Sequence, residues 1–113
     1  MIDPQIIQGP LRADVEIILP GHKVPYYLDK EIFVFAVRMQ NMLNKHAEKK
    51  GDSWKDMTQH DVGNRLSEEC MEVLYAMQKI RTPEQRKHLA DEYTDVALFA
   101  MFGATLTEDN LPV

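Results

Sequence analysis

The sequence predicts an all-α fold, an antiparallel helical bundle completed by oligomerisation, with a short extended or β N-terminal arm. Three observations predict it. Apolar residues recur at helical spacing through three long segments, each with its own start or stop signal. Pro4, Pro10, Pro20 and Pro25 exclude a long helix near the beginning of the chain. The stretch Val96 to Phe102 is apolar nearly all round, and such a helix must be covered on every face. Three helices of this length cannot supply that cover, so a second copy is expected near this segment. The 113 residues suit one domain, made of an arm over 1–28 and a helical domain over 29–113.

In the arm, Val15 to Leu19 is the plausible strand, bounded by Pro20-Gly21. It is expected to pair near Ile6-Ile7 or to lie against a partner chain, because a strand cannot stand alone. The first helix is expected over Lys30–Lys50, with Asp29 as cap and Gly51 as stop. Its buried face should hold Ile32, Phe35, Ala36, Met39, Met42 and Leu43. A connector follows with the only tryptophan, Trp54, which can plug the ends of the helices or stack on a nucleobase. The second helix is expected from Gln59 to Ile80, capped by Thr58 and Asp61. Its apolar stripe should be Val62, Leu66, Cys70, Val73, Met77 and Ile80, with Cys70 in the core. Thr82-Pro83-Glu84-Gln85 is a strong start for a third helix running to about Leu106.

The formal charge of −5 argues against binding nucleic-acid polymers or anionic membranes, which call for basic patches. One cysteine leaves no internal disulfide and suits a reducing compartment. No signal-peptide pattern opens the chain, and Val96 to Leu106 falls short of the roughly 20 residues that span a bilayer. A cytoplasmic protein is expected.

The chemistry lies in Glu68-Glu69-Cys70-Met71-Glu72 and its echo Glu92-Tyr93-Thr94-Asp95. Glu69 with Glu72, and Glu92 with Asp95, are three apart and share a helix face. If the chain folds back at Thr82 as two antiparallel helices, Glu69 faces Asp95 and Glu72 faces Glu92. Four carboxylates converge only around a cation. Oxygen-only ligands suit Mg²⁺, with Mn²⁺ possible. No Glu-x-x-His supports a di-iron bundle, and no Cys/His cluster supports zinc. Neither a P-loop nor a dinucleotide glycine pattern is present. The bland alternative is a solvated acidic face.

Glu-Glu-x-x-Glu, a spacer of 19 residues and Glu-x-x-Asp together resemble the motif of the MazG-like all-α NTP pyrophosphohydrolases. The resemblance covers roughly Phe33 to Phe102 and takes in Arg65-Leu66 and Asp95-Val96-Ala97. It implies hydrolysis of a nucleoside triphosphate to monophosphate and pyrophosphate, with Mg²⁺; the oligomer expected from the cover that Val96 to Phe102 needs is a homodimer or homotetramer. It implies that Glu69, Glu72, Glu92 and Asp95 are metal ligands and Glu68 a supporting or proton-accepting carboxylate. His46, Lys49 and Trp54 become candidates for substrate contact. Many members hold the phosphates with residues beyond the third helix. Here that role is expected of Lys45, Lys49, Lys55, Lys79 or Arg81, or of a partner subunit. The alternative is a non-catalytic MazG-like module that binds nucleotide, metal or protein, and the plainest alternative is a structural oligomer.

Overall fold

The structure is a computed structural model and describes residues 15–109. The order is β1 (Val15–Ile17), β2 (Tyr26–Leu28), α1 (Lys30–Lys50), a 3₁₀ turn (Ser53–Asp56), α2 (Gln59–Ala76) and α3 (Pro83–Asp109). The described chain is therefore mostly helical. No described helix is long and apolar enough to cross a membrane. Its contacts divide into two units, Met1–Arg38 and Met39–Val113, so the division falls inside α1.

In the first unit β1 pairs antiparallel with β2, in the register Val15 to Leu28, Glu16 to Tyr27 and Ile17 to Tyr26. The expected partner near Ile6-Ile7 lies outside the described residues; the observed one follows β1. A turn makes this possible. Pro20 and Gly21 take its two central positions, Gly21 has φ +79, and the His22 N–H donates to the Leu19 carbonyl at 3.0 Å. Proline followed by left-handed glycine is the pair a type II turn favours.

The α1 boundaries match the local signals. Asp29 O accepts from Phe33 N at 3.1 Å, and Gly51, at φ +58, donates to Ala47 O at 2.9 Å. The expected buried face is corrected: no residue of α1 is fully buried. Ile32 is exposed in the first unit, while Met39, Met42 and Leu43 pack half-buried against the core of the second. Helical periodicity marks which face is apolar but does not supply the surface that covers it.

The second unit is built on the α2–α3 hairpin. Both helices start with reciprocal caps. Thr58 Oγ1 accepts from Asp61 N, and the Asp61 carboxylate accepts from Thr58 N. Thr82 Oγ1 accepts from Gln85 N, and Gln85 Oε1 accepts from Thr82 N and Arg81 N. Helix α2 ends at Ala76, short of the expected Ile80. Its last bonds tighten to three-residue spacing, Gln78 N to Tyr75 O and Lys79 N to Ala76 O, before the chain extends into the cap of α3.

The core gathers Val62, Leu98, Phe102 and Leu106, with Trp54, Met57 and Phe99 packed against it. Thr94 is wholly buried and its hydroxyl donates to Ala90 O at 2.9 Å. The inward seam of α2 reads Val62, Leu66, Glu69, Val73 and Ala76, a spacing of four and three. Cys70 is exposed, which corrects the expectation that it is core. The helix is rotated so that Glu69 and Ala76 replace Cys70 and Met77 in the seam. Leu98 and Phe102 are covered within the chain, and Val96, Ala97, Phe99 and Met101 are half-buried. The large apolar side chains left exposed in this unit include Met71, Leu74, Met77 and Ile80.

Candidate metal centre

The seam position of Glu69 places a carboxylate among apolar neighbours, with the residue only 5% exposed. Across the groove α3 presents half-buried Glu92 and Asp95. One oxygen from each of the three lies within 4.8 Å of the others. Glu72 sits at the exposed edge, beside both Glu69 and Glu92. Three of the four acids named by the sequence thus converge, and the fourth stands next to them.

Each buried acid has a basic partner on one side. Arg65 Nη2 reaches Glu69 Oε1 at 3.2 Å, His88 Nε2 reaches Glu92 Oε1 at 3.3 Å, and His46 Nε2 reaches Asp95 Oδ1 at 3.5 Å. The second oxygens of the glutamates, Glu69 Oε2 and Glu92 Oε2, are buried and meet no donor. An unpaired buried carboxylate oxygen is costly. Burial is the main reason that the pKa of Glu69 is pushed up to about 7; the nearby Glu72 carboxylate and the charge of Asp95 add to it, and Arg65 opposes them. Burial also raises Glu92, helped by Glu72 and opposed by His88. Asp95 is raised by burial against the pull of His46. Converging oxygens, unpaired and held from outside, fit a hard divalent cation.

A cleft of ≈ 210 Å³ adjoins Glu69 and Asp95. Trp54 closes one wall, stacked on Phe102 with ring centroids 4.4 Å apart and planes at 12°, and Phe99 meets Phe102 edge-on at 5.4 Å. The buried indole Nε1 has no acceptor. The Arg65 guanidinium lies 5.2 Å from the Phe99 ring and lines the same cleft. His46 and Lys50 line it too, whereas Lys49 is exposed and does not. Glu68 stands outside the cluster, exposed, with Oε2 2.8 Å from Arg65 Nη1.

Arg65, which falls near the acidic arc of the second helix and is expected from the sequence to steady those carboxylates, holds both Glu68 and Glu69. Two contributors go beyond the residues named from the sequence. Lys50 is visible only in the fold. His88 had a signal, four residues before Glu92, but the Glu-x-x-His pattern sought for iron has a different order and spacing. None of the protein-family models, curated proteins or solved structures compared with the chain matches it.

Proposed function

We propose that the chain is a Mg²⁺-dependent nucleoside triphosphate pyrophosphohydrolase, converting an NTP or dNTP to the monophosphate and pyrophosphate, in keeping with its MazG-like acidic motifs. The observation that carries the reading is the pair of buried oxygens, Glu69 Oε2 and Glu92 Oε2, that meet no donor. Glu69, Glu92 and Asp95 would hold the ion, with Glu72 at its exposed edge. The oxygen-only set favours Mg²⁺ or Mn²⁺ over zinc. When bound, the ion supplies Lewis acidity to the phosphoryl oxygens and offsets the charge of the departing pyrophosphate.

The remaining work falls to the chain. Arg65, His88 and His46 each hold one oxygen of a residue that would bind the ion, and in Glu69 and Glu92 the second oxygen is left without a donor. The aromatic cleft receives the base beside Trp54 and His46. In the reaction a water oxygen bonds to the α-phosphorus while the bond from that phosphorus to the α,β-bridging oxygen breaks. Pyrophosphate leaves with the bridging oxygen, and the proton of the water passes to an exposed carboxylate. Glu68 is the acceptor the resemblance implies, and Glu72 is the exposed carboxylate in contact with the cluster. A second copy, in a homodimer or homotetramer, would cover the exposed Met71, Leu74, Met77 and Ile80.

The test incubates the protein with a panel of NTPs and dNTPs, with and without Mg²⁺, and measures monophosphate and pyrophosphate. Turnover that requires Mg²⁺ and is lost in Glu72→Gln supports the reading, and Glu68→Gln assigns the proton acceptor. Metal and nucleotide binding without turnover identifies a binding module instead. A monomer in sedimentation at micromolar concentration rejects the oligomer.

A further inference from the structure

The acidic quartet has two ends along the α2–α3 groove. Its Glu69–Asp95 end opens on the aromatic cleft. Its Glu72–Glu92 end opens on a second cleft of ≈ 610 Å³, formed by the C-terminal end of α2 and the first turns of α3. We infer that this second cleft takes the pyrophosphoryl group, so that the substrate lies along the groove with its base at Trp54 and its β- and γ-phosphates at Lys79. The inference rests on the function proposed above and adds the direction of the substrate.

Three observations support it. The first cleft is walled largely by Leu43, Trp54, Met57, Leu98, Phe99 and Phe102, a lining that suits a flat base; of its basic groups, Arg65 is held by Glu68 and Glu69 and His46 by Asp95, which leaves Lys50. The second is lined by hydrogen-bonding side chains: Lys79, Tyr75, Gln78, Gln85 and His88. Gln85 accepts from two backbone N–H groups through Oε1, which leaves its amide NH₂ as the donor for a ligand. The position of Lys79 also singles it out among the cations expected from the sequence to hold phosphate. Among the described residues it pairs with no carboxylate, whereas Lys55 is held by Asp52 at 3.4 Å. Lys79 lines a cleft that shares Glu72 and Glu92 with the quartet, and Lys45, Lys49, Lys55 and Arg81 line neither cleft.

The lining carries Glu72, Glu84 and Glu92 as well. Without a divalent cation the cleft therefore repels phosphate. Pyrophosphoryl binding should require the metal, because the metal reverses the local sign of charge.

Inorganic pyrophosphate titrated calorimetrically into the full chain tests this directly. Wild type should bind it with Mg²⁺ and not without. Lys79→Ala should weaken that binding and raise the KM for the NTP by ~10-fold, the loss of one charge-assisted hydrogen bond. Lys79→Arg should retain both, and binding of a nucleoside monophosphate should stay within about twofold of wild type in each variant. Lys79 is exposed, so an unchanged melting curve certifies the fold of the variants. Absence of pyrophosphate binding by wild type with Mg²⁺, or unaltered binding by Lys79→Ala, overturns the inference. Failure of the function is distinguishable. Mg²⁺-dependent pyrophosphate binding lost in Lys79→Ala, with no NTP turned over, keeps the cleft and rejects the hydrolase.

Discussion

Arg65 holds Glu69 by one carboxylate oxygen and leaves the other bare. Nη2 lies 3.2 Å from Oε1, while Oε2 is buried and meets no donor. The same guanidinium reaches exposed Glu68 at 2.8 Å and lies over the ring of Phe99. Arg65 is thus anchored from outside the cluster and fixes where Glu69 points. Arg65→Gln should weaken Mn²⁺ binding at pH 7.5 by ~10-fold, the lower end of what outer partners of metal ligands contribute. Electron paramagnetic resonance of free Mn²⁺ measures it. An unchanged affinity shows that the pair is incidental.

Glu69 occupies a seam otherwise built from Val62, Leu66, Val73 and Ala76. A buried carboxylate there weakens the metal-free fold. Glu69→Leu should stabilise the metal-free protein by about 1–3 kcal/mol, the range seen when buried charges give way to apolar residues of similar volume. The same change should abolish Mn²⁺ binding at the cluster. Urea unfolding and Mn²⁺ titration measure the two effects. A destabilised variant contradicts the idea that the acid sits at this position for function.

The metal-free protein should lose stability as pH rises. The pKa of Glu69 is pushed from 4.5 up to about 7, and those of Glu92 and Asp95 are raised. Between the unfolded and folded values the native state binds more protons than the unfolded state. Stability is therefore greatest below about pH 4.5 as far as these groups decide it, and falls as pH climbs through about 7. Between pH 5.5 and pH 8 Glu69 alone contributes a loss on the order of 2 kcal/mol. Thermal unfolding in chelator at pH 5.5 and pH 8 tests the sign, and saturating Mg²⁺ should remove most of the difference. A metal-free protein more stable at pH 8 contradicts it.

Trp54 has two roles that substitutions separate. Its stack on Phe102 ties the 3₁₀ turn to α3. Trp54→Ala should cost about 2–3 kcal/mol, below the usual range for a fully buried tryptophan because this one is half-exposed. Trp54→Phe keeps an aromatic partner for Phe102 and removes the second ring of the indole with its N–H. It should remain within about 1 kcal/mol of wild type and raise the KM for substrate roughly fivefold, with kcat less affected. Equal effects of both variants on KM assign Trp54 to packing alone.

The parts legible in the sequence are those set by neighbours along the chain. The caps at Thr58–Asp61 and Thr82–Gln85 use residues three apart, and both form as expected. Gly51 stops α1 because its left-handed φ is a local property. The pairing of Glu69 with Asp95, and of Glu72 with Glu92, could be anticipated because a short turn between antiparallel helices fixes their register. That β2 pairs with β1 depends on Pro20-Gly21 being the middle of a hairpin, which a strand's own bounds do not state. Cys70 lies outside the seam because packing, and not apolar type, chooses its members.

By itself the sequence determined the three helices, their caps and the acidic residues of the two motifs, since each depends on short-range geometry. Helix geometry already turned Glu69 toward the groove; only the tertiary structure decided how far α2 is rotated, and hence that Glu69 sits in the seam itself and Cys70 outside it. It alone paired His46 with Asp95 across helices and set the acids between an aromatic cleft and a polar one. Those outcomes depend on how whole helix faces pack. A seam of the right spacing accepts a carboxylate among apolar residues when other elements hold its charge, and no local pattern states that condition.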